Sequence, residues 1–369
     1  MTAPPLTATI NGIPATVPFI GPEQLERTRG RRFMARIGAN ENGFGPSPRA
    51  IAAMRDAVSG SWMYADPTSH DLIEAIARLH AVPAANVVAG EGIDGLLALT
   101  VHMALERGAP VVTSDGAYPT FNFHVASHGG ILIKVPYAND REDIAALLEA
   151  AHRHGAAILY LSNPDNPMGS WWPADDIHRL AAQLPAGCLL CLDEAYIDTL
   201  PAAERPVIDI EHPQVLRFRT VSKAYGLAGA RIGYAMGPAR LIAAFEKVRN
   251  HYGLSRVGQI GALAAIDDQD YLREVVARIE RARERIGAIA RGCGLHPLPS
   301  AASFVAIDCG RDDEYAQRIL DGLIARDVFV RKPSVAPLDR CIRVSCAPDD
   351  ALDVFAAALP EAIAGAQST

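Results

Sequence analysis

TVSKAYGLAGARIGY, residues 220–234, follows the run VLRFR (215–219) and sets one lysine among small residues and glycines. An apolar run that breaks into Thr220, Ser222 and Lys223 and then Gly226 reads as a strand whose carboxyl end opens into a polar turn. The same pattern occurs three times upstream. DEAY (193–196) follows CLLCL (188–192), SNPDNPMG (162–169) follows AILYL (157–161), and VVAGEGIDG (87–95) carries a strand through glycines into a helix. Strands are expected over 86–89, 110–114, 131–135, 157–162, 188–193, 215–221 and 232–236, with amphipathic stretches such as 174–184 between several of them. Strand and helix in alternation specify an α/β fold in which a mainly parallel seven-stranded sheet lies between helices.

Beyond this sheet the charged stretch 271–291 has apolar residues at helical spacing, as a connecting helix should. Three more strand candidates follow, over 304–308, 328–331 and 342–346, and build a smaller α/β domain. The expected division is an N-terminal segment, 1–50, packing with the small domain; a large domain, 51–260; and a small C-terminal domain, 261–369, that includes the connecting helix. A chain of 369 residues is long enough for two such cores.

Composition narrows the partners. A net charge of -7 without a Lys/Arg cluster argues against nucleic acid. Residues 1–17 hold no basic residue and no apolar run of signal-peptide or membrane length, so a cytoplasmic location is expected and no membrane partner. Six scattered cysteines suit a reducing compartment. Cys188 and Cys191 form a CxxC, but within a strand residues three apart point to opposite faces, which favours packing over metal or redox chemistry. His124 and His128 share a helix face and lack a third ligand, so no metal is expected.

In an open parallel sheet, catalytic groups sit at the carboxyl ends of the strands. The groups found there match the needs of pyridoxal 5'-phosphate (PLP). That cofactor takes a lysine for its covalent imine bond, here Lys223, and a carboxylate against its pyridine nitrogen, here Asp193. Asn166 and Tyr196 are candidates for its ring hydroxyl. Arg231, Ser222 and Thr220, with the turn Gly90, Glu91 and Gly92 at a helix start, are candidates for its phosphate. Each signal has a plainer reading. Lys223 alone is a surface lysine, as most lysines are. Asp193 alone is a helix N-cap, and Arg343 alone closes a surface ion pair. GEGIDG (90–95) matches GxGxxG, and with Asp115 after the next strand it makes a nicotinamide-dependent enzyme the rival. The lysine, aspartate and asparagine at three later strand ends have no role in that rival.

The strings NENGFGPSP (40–48), YADP (64–67), NPDNPMG (163–169), DEAY and TVSKAYGLAGARIGY resemble, in order and spacing, those of fold-type I PLP-dependent aminotransferases, and most closely the histidinol-phosphate aminotransferase family. The resemblance spans about residues 40–347. It implies that Tyr118 stacks on the pyridine ring and that Tyr64 reaches the cofactor phosphate of a partner subunit in a homodimer. It also implies that Arg343, in IRVSC (342–346), and Arg331, in VFVRK (328–332), bind the substrate's anionic end. The expected reaction moves an amino group between an anionic amine donor and a 2-oxo acid, with histidinol phosphate and 2-oxoglutarate as first choices. Lys223, Asp193 and Tyr196 are its catalytic residues. Two departures bear on substrate: Met168 stands where the family usually has threonine, and Phe19 occupies the stretch in which histidinol-phosphate enzymes tend to carry an early tyrosine. The alternatives are an aromatic or other amino-acid aminotransferase and a PLP-dependent decarboxylase of a phosphorylated amino acid.

Overall fold

The protein is described by a computed structural model over residues 4–15, 20–207 and 209–367; Phe19 lies outside the described residues. Its strands in chain order are β1 (Ala35–Arg36), β2 (Val87–Gly90), β3 (Pro110–Ser114), β4 (Ile131–Val135), β5 (Ile158–Ser162), β6 (Leu189–Asp193), β7 (Val215–Thr220), β8 (Gly233–Met236), β9 (His296–Pro297), β10 (Phe304–Asp308), β11 (Val328–Phe329) and β12 (Cys341–Ser345).

Seven of them form one sheet in the order β2-β8-β7-β6-β5-β3-β4. β8 runs antiparallel to both β2 and β7, and the remaining pairs are parallel. β2 therefore points the same way as β5, β6 and β7, and the four polar strand ends share one edge of the sheet. Both faces of its inner strands β5 and β6 are buried, as a parallel sheet requires. Ile158, Tyr160 and Cys191 pack on one face with Leu96 and Phe121, and Leu159, Leu161 and Cys188 pack on the other with Leu147 and Ile177. The two cysteines of the CxxC thus lie on opposite faces of the sheet.

The helices that cover the sheet follow local rules. Asp143 caps the helix Ile144–His154 by accepting from the Ala145 and Ala146 amides, and left-handed Gly155 ends it. The helix Ala174–Ala182 begins after Pro173 with Asp175 and Asp176 in its first turn, and buries Ile177, Leu180 and Ala181 on one stripe.

A second core lies beyond the sheet. The helix Gln269–Gly292, capped by Asp268, buries Val275, Ile279, Ala282, Ile286 and Ala290 against Ile307 of β10, Val344 of β12 and Phe355. β10 pairs antiparallel with β12 and β9. β1 joins this core by pairing in parallel with β11, and Arg29 forms an ion pair with Asp327 beside them. The strand expected over 328–331 stops at Phe329. The chain changes partner there, from β1 to β12, and Arg331 returns to the ladder through a single bridge to Arg343.

Candidate active site

The carboxyl edge of the sheet gathers the polar residues. Register sets the first row: Gly90 pairs with Gly233, and Gly233 with Thr220. The hydroxyls of Thr220 and Ser222 lie 2.8 Å apart beside this row, and the Ser222 amide donates to Thr220 Oγ1 at 3.0 Å. Gly92 opens the helix Gly92–Ala104 with φ +73. A Cβ on Gly92 would stand 2.5 Å from Arg231 Nη2, and one on Gly233 would stand 2.7 Å from the Gly92 carbonyl carbon. Glycine at both positions brings the helix start, the two hydroxyls and the Arg231 guanidinium together, as an anion site requires. The Glu91 side chain turns away to lie against Gly253, leaving its backbone at the turn.

Asp193 ends β6 and is buried. Tyr160 donates to its Oδ2 at 2.8 Å and the Ala195 amide to its Oδ1 at 3.0 Å. Burial pushes this carboxyl up to about 6, against those two hydrogen bonds and the nearby Lys223 charge. The next residue has the opposite environment. Glu194, equally buried, accepts from Arg217 at 2.9 Å and Arg219 at 2.8 Å, and the arginines hold it below the usual carboxylate range despite burial. Among the described residues no cation stands within ion-pair distance of Asp193.

Lys223 donates from Nζ to the Asn40 carbonyl at 3.3 Å, and Nζ lies 5.6 Å from the centre of the Tyr196 ring. Asn40 Nδ2 donates to the Tyr196 hydroxyl at 3.0 Å, tying the start of the chain to the lysine. Tyr118 donates to Asp94 Oδ2 at 3.1 Å, and burial with that carboxylate raises its phenol.

From the small core, β12 sends Ile342 and Val344 inward and Arg343 to the opposite face. Arg343 Nη1 donates to Asn166 Oδ1 at 2.5 Å across the gap between the two cores. Burial, helped by the like charge of Arg331, lowers its guanidinium to about 10. Its buried Nε–H has no partner among the described residues. Arg331 donates to the Ile20 carbonyl at 3.0 Å. Tyr64 stands apart from this set, exposed and tilted against Tyr252 at 4.8 Å between ring centres. Asp115, the acid a dinucleotide site would have used, pairs with Lys134 at 3.1 Å.

Several residues here carried no sequence signal of their role. Tyr160 is one apolar-strand residue among others, and its contact with Asp193 depends on the β5/β6 register. Asn40 lies inside NENGFGPSP, where only its left-handed φ of 56 hints at a special position. Asp94 is hidden in the turn of GEGIDG.

The site's chemistry fits PLP: a buried carboxyl with no ion-pair partner among the described residues, a lysine amine held by a carbonyl, and a glycine cradle with an arginine beside it. Comparison with known proteins agrees with this geometry. The aminotransferase class I and II family profile matches residues 34–359. A histidinol-phosphate aminotransferase of Erythrobacter litoralis is 32% identical over 373 residues, covering 99% of each chain. One from Symbiobacterium thermophilum is 31% identical, covering 92% of this chain and 94% of its own. The crystal structure of histidinol-phosphate aminotransferase from Sinorhizobium meliloti in complex with pyridoxal-5'-phosphate superposes with a TM-score of 0.94, at 54% identity over 97% of both chains. Aspartate aminotransferase from Thermus thermophilus, at 22% identity and a TM-score of 0.78 over 97% of this chain and 100% of its own, shares the fold. With the family profile spanning both cores and every strand end of the site, the chain belongs to the class I and II aminotransferases.

Proposed function

We propose that this aminotransferase uses PLP at the carboxyl edge of the seven-stranded sheet to move an amino group from an anionic amine donor to a 2-oxo acid. Histidinol phosphate and 2-oxoglutarate are the first pair. The contrast between neighbours carries the reading: Glu194 is neutralised by two arginines, and Asp193, equally buried, is left with a tyrosine and an amide. A buried carboxyl without a cation is costly, and a protonated pyridine nitrogen supplies the missing charge. The relatives that carry the histidinol-phosphate name support the choice of donor.

Each residue then has a task. Lys223 would form the covalent link and, as a free amine, would take the proton of the substrate's amine-bearing carbon onto its Nζ. Asp193 keeps the pyridine nitrogen protonated, Tyr118 covers the ring, and Asn166 and Tyr196 donate to its hydroxyl. The Gly90, Glu91 and Gly92 backbone with Thr220, Ser222 and Arg231 holds the phosphate. Arg343, with an N–H that has no partner among the described residues, takes the anionic end of the substrate, and Arg331 adds a second positive charge. Bound there, the cofactor supplies an electron sink that stabilises negative charge on the substrate carbon. Residues 51–260 form the cofactor domain in this reading, and 1–50 with 261–369 form the small domain.

The purified protein should absorb in the visible, and borohydride should bleach the band and fix the cofactor on Lys223. Peptide mapping checks this, and an adduct on any other lysine would overturn the site. A screen of amino donors, scored for 2-oxo product against CO2, separates histidinol phosphate from aromatic donors and transfer from decarboxylation.

The reading includes a cytoplasmic homodimer. Trp62 (83% exposed) and Tyr64 (78%) stand with Val58, Met63 and Tyr252 on the surface, an apolar group that a second copy would cover. Trp62→Arg is expected to shift the sedimentation coefficient toward a monomer and to weaken cofactor retention, because Tyr64 of the partner subunit would no longer reach the phosphate. A parent protein that sediments as a monomer would refute the shared site.

A further inference from the structure

Behind Asn166 and Arg343 lie two carboxyl groups that the reaction does not use. Glu142 is 1% exposed and Asp165 2%. Glu142 follows the hairpin after β4 and reaches across two strand ends: Ser114 donates to its Oε2 at 2.6 Å, and the Ser162 amide to its Oε1 at 3.0 Å. Asp165 sits in the turn SNPDNPMG, accepting from Tyr137 at 2.8 Å on Oδ1 and from the Met168 amide at 3.0 Å on Oδ2. The two carboxyls face each other at hydrogen-bonding range. Two oxygens of carboxyl groups make a hydrogen bond only if one carries a proton, and two buried like charges in contact repel strongly.

The surroundings decide where that proton sits. Among the described residues neither carboxyl has an ion-pair partner; Arg141, next to Glu142 in sequence, donates instead to the Trp171 carbonyl and lies over the Trp172 ring at 3.7 Å. The positive charge facing the pair is Arg343, which acts on Asp165, and the phenols of Tyr137 and Tyr160 complete the surroundings. Asp165, next in sequence to the Asn166 that Arg343 holds, is thus the member whose charge a cation favours. Burial and the Asp165 charge hold the Glu142 carboxyl well above the usual range.

We propose that Glu142 and Asp165 form one positioning unit, with Glu142 as a neutral carboxylic acid donating to an Asp165 carboxylate, so that the turn carrying Asn166 is fixed with a single negative charge behind Arg343. The unit sets how tightly Arg343 holds an anionic substrate, and to that extent it rests on the role given to Arg343 above. One charge keeps the guanidinium ionised and oriented toward Asn166. The same charge opposes the incoming anion, so that the product, which is also anionic, can leave.

Infrared spectroscopy and kinetics on the holoenzyme test this. At pH 8 the parent should show the carbonyl band of a buried, unionised carboxylic acid, and Glu142→Gln should lose it. The glutamine oxygen can accept from the Ser162 amide while its nitrogen donates to Asp165 and to the Ser114 hydroxyl, which can turn to accept, so this variant should keep its thermal midpoint within about 2 °C and its KM within about twofold. Glu142→Ala leaves Asp165, Ser114 and the Ser162 amide without their partner and should lower the midpoint by roughly 3–6 °C. In Asp165→Asn the charge passes to Glu142. The double variant Glu142→Gln/Asp165→Asn carries no charge, and its KM for anionic donors should fall about threefold to tenfold, with kcat falling alongside as release slows. Absence of the acid band in the parent, or a Glu142→Gln variant as unstable as Glu142→Ala, would overturn the unit. An acid band with an unchanged KM in the double variant would overturn its control of substrate affinity. The infrared and thermal results do not depend on what Arg343 binds, so failure of that role is recognised separately.

Discussion

Asp193→Asn is expected to fold, to withstand heat better than the cofactor-free parent at neutral pH, and to lose about a thousandfold in kcat. The loss follows because a neutral amide cannot hold the pyridine nitrogen protonated; a factor of a thousand corresponds to about 4 kcal/mol of transition-state stabilisation. The gain in heat resistance follows from the carboxyl's raised pKa, about 6 in the fold against an ordinary 3.8. A carboxyl with a raised pKa favours folding in its protonated form, so its contribution is full below about pH 4 and is lost as pH rises through 6. Above that, the buried charge costs the cofactor-free protein about 2–3 kcal/mol, which the amide removes. Tyr160 can accept as readily as donate, so the amide leaves no partner unmet. Calorimetry on the cofactor-free proteins and steady-state kinetics on the loaded ones check both halves. Near-parental turnover would show that Asp193 only supports the fold.

Arg343→Lys should reduce kcat/KM by about a hundredfold toward every anionic donor while the cofactor's absorbance is retained. Arginine presents a planar fork, and here one prong already donates to Asn166 while Nε–H has no partner among the described residues. Lysine keeps the charge and cannot hold both contacts at once. Arg331→Ala discriminates between donors. A phosphate ester carries more charge than a carboxylate, so its kcat/KM should fall further than that of a plain amino acid. Parental activity of Arg343→Lys on all donors would remove Arg343 from the site, and equal losses on both donor classes in Arg331→Ala would remove the preference for phosphate.

The sheet was legible because its strands are short apolar runs bounded by Gly, Pro, Asn and Asp. β3, β4 and β10 occupy the residues expected of them, and the other strands of the large sheet begin or end within a residue of expectation. What escaped was pairing set by the partner. β1 and β9 are two residues each and have no pattern of their own, and β11 is cut short by a change of neighbour. The site divides the same way. Lys223, Asp193 and Asn166 stand at breaks between apolar run and polar turn, where sequence has contrast. Tyr160, Asn40 and Glu142 act through residues 33, 183 and 23 positions away, and a single chain read in order holds no trace of those contacts. Asp165 was visible as part of a turn, and its proton-sharing partner was not.

The row that joins Gly90, Gly233 and Thr220 brings together segments separated by more than half the length of the large sheet's sequence, across a strand that runs against its neighbours. Thr220 and Gly233 come from consecutive strands and can meet locally, but the pairing of Gly90 with Gly233 has no local precursor. Closing it costs the entropy of long loops before any contact repays it, which places its assembly late among the events of folding. An anion that needs the whole row therefore binds the finished sheet and ignores its fragments, and by mass action it draws the population of nearly complete chains toward the native state. In a cell the supply of cofactor then acts as a folding condition as well as a catalytic one, and chains synthesised when it is scarce spend longer exposed to proteases with this edge unsealed.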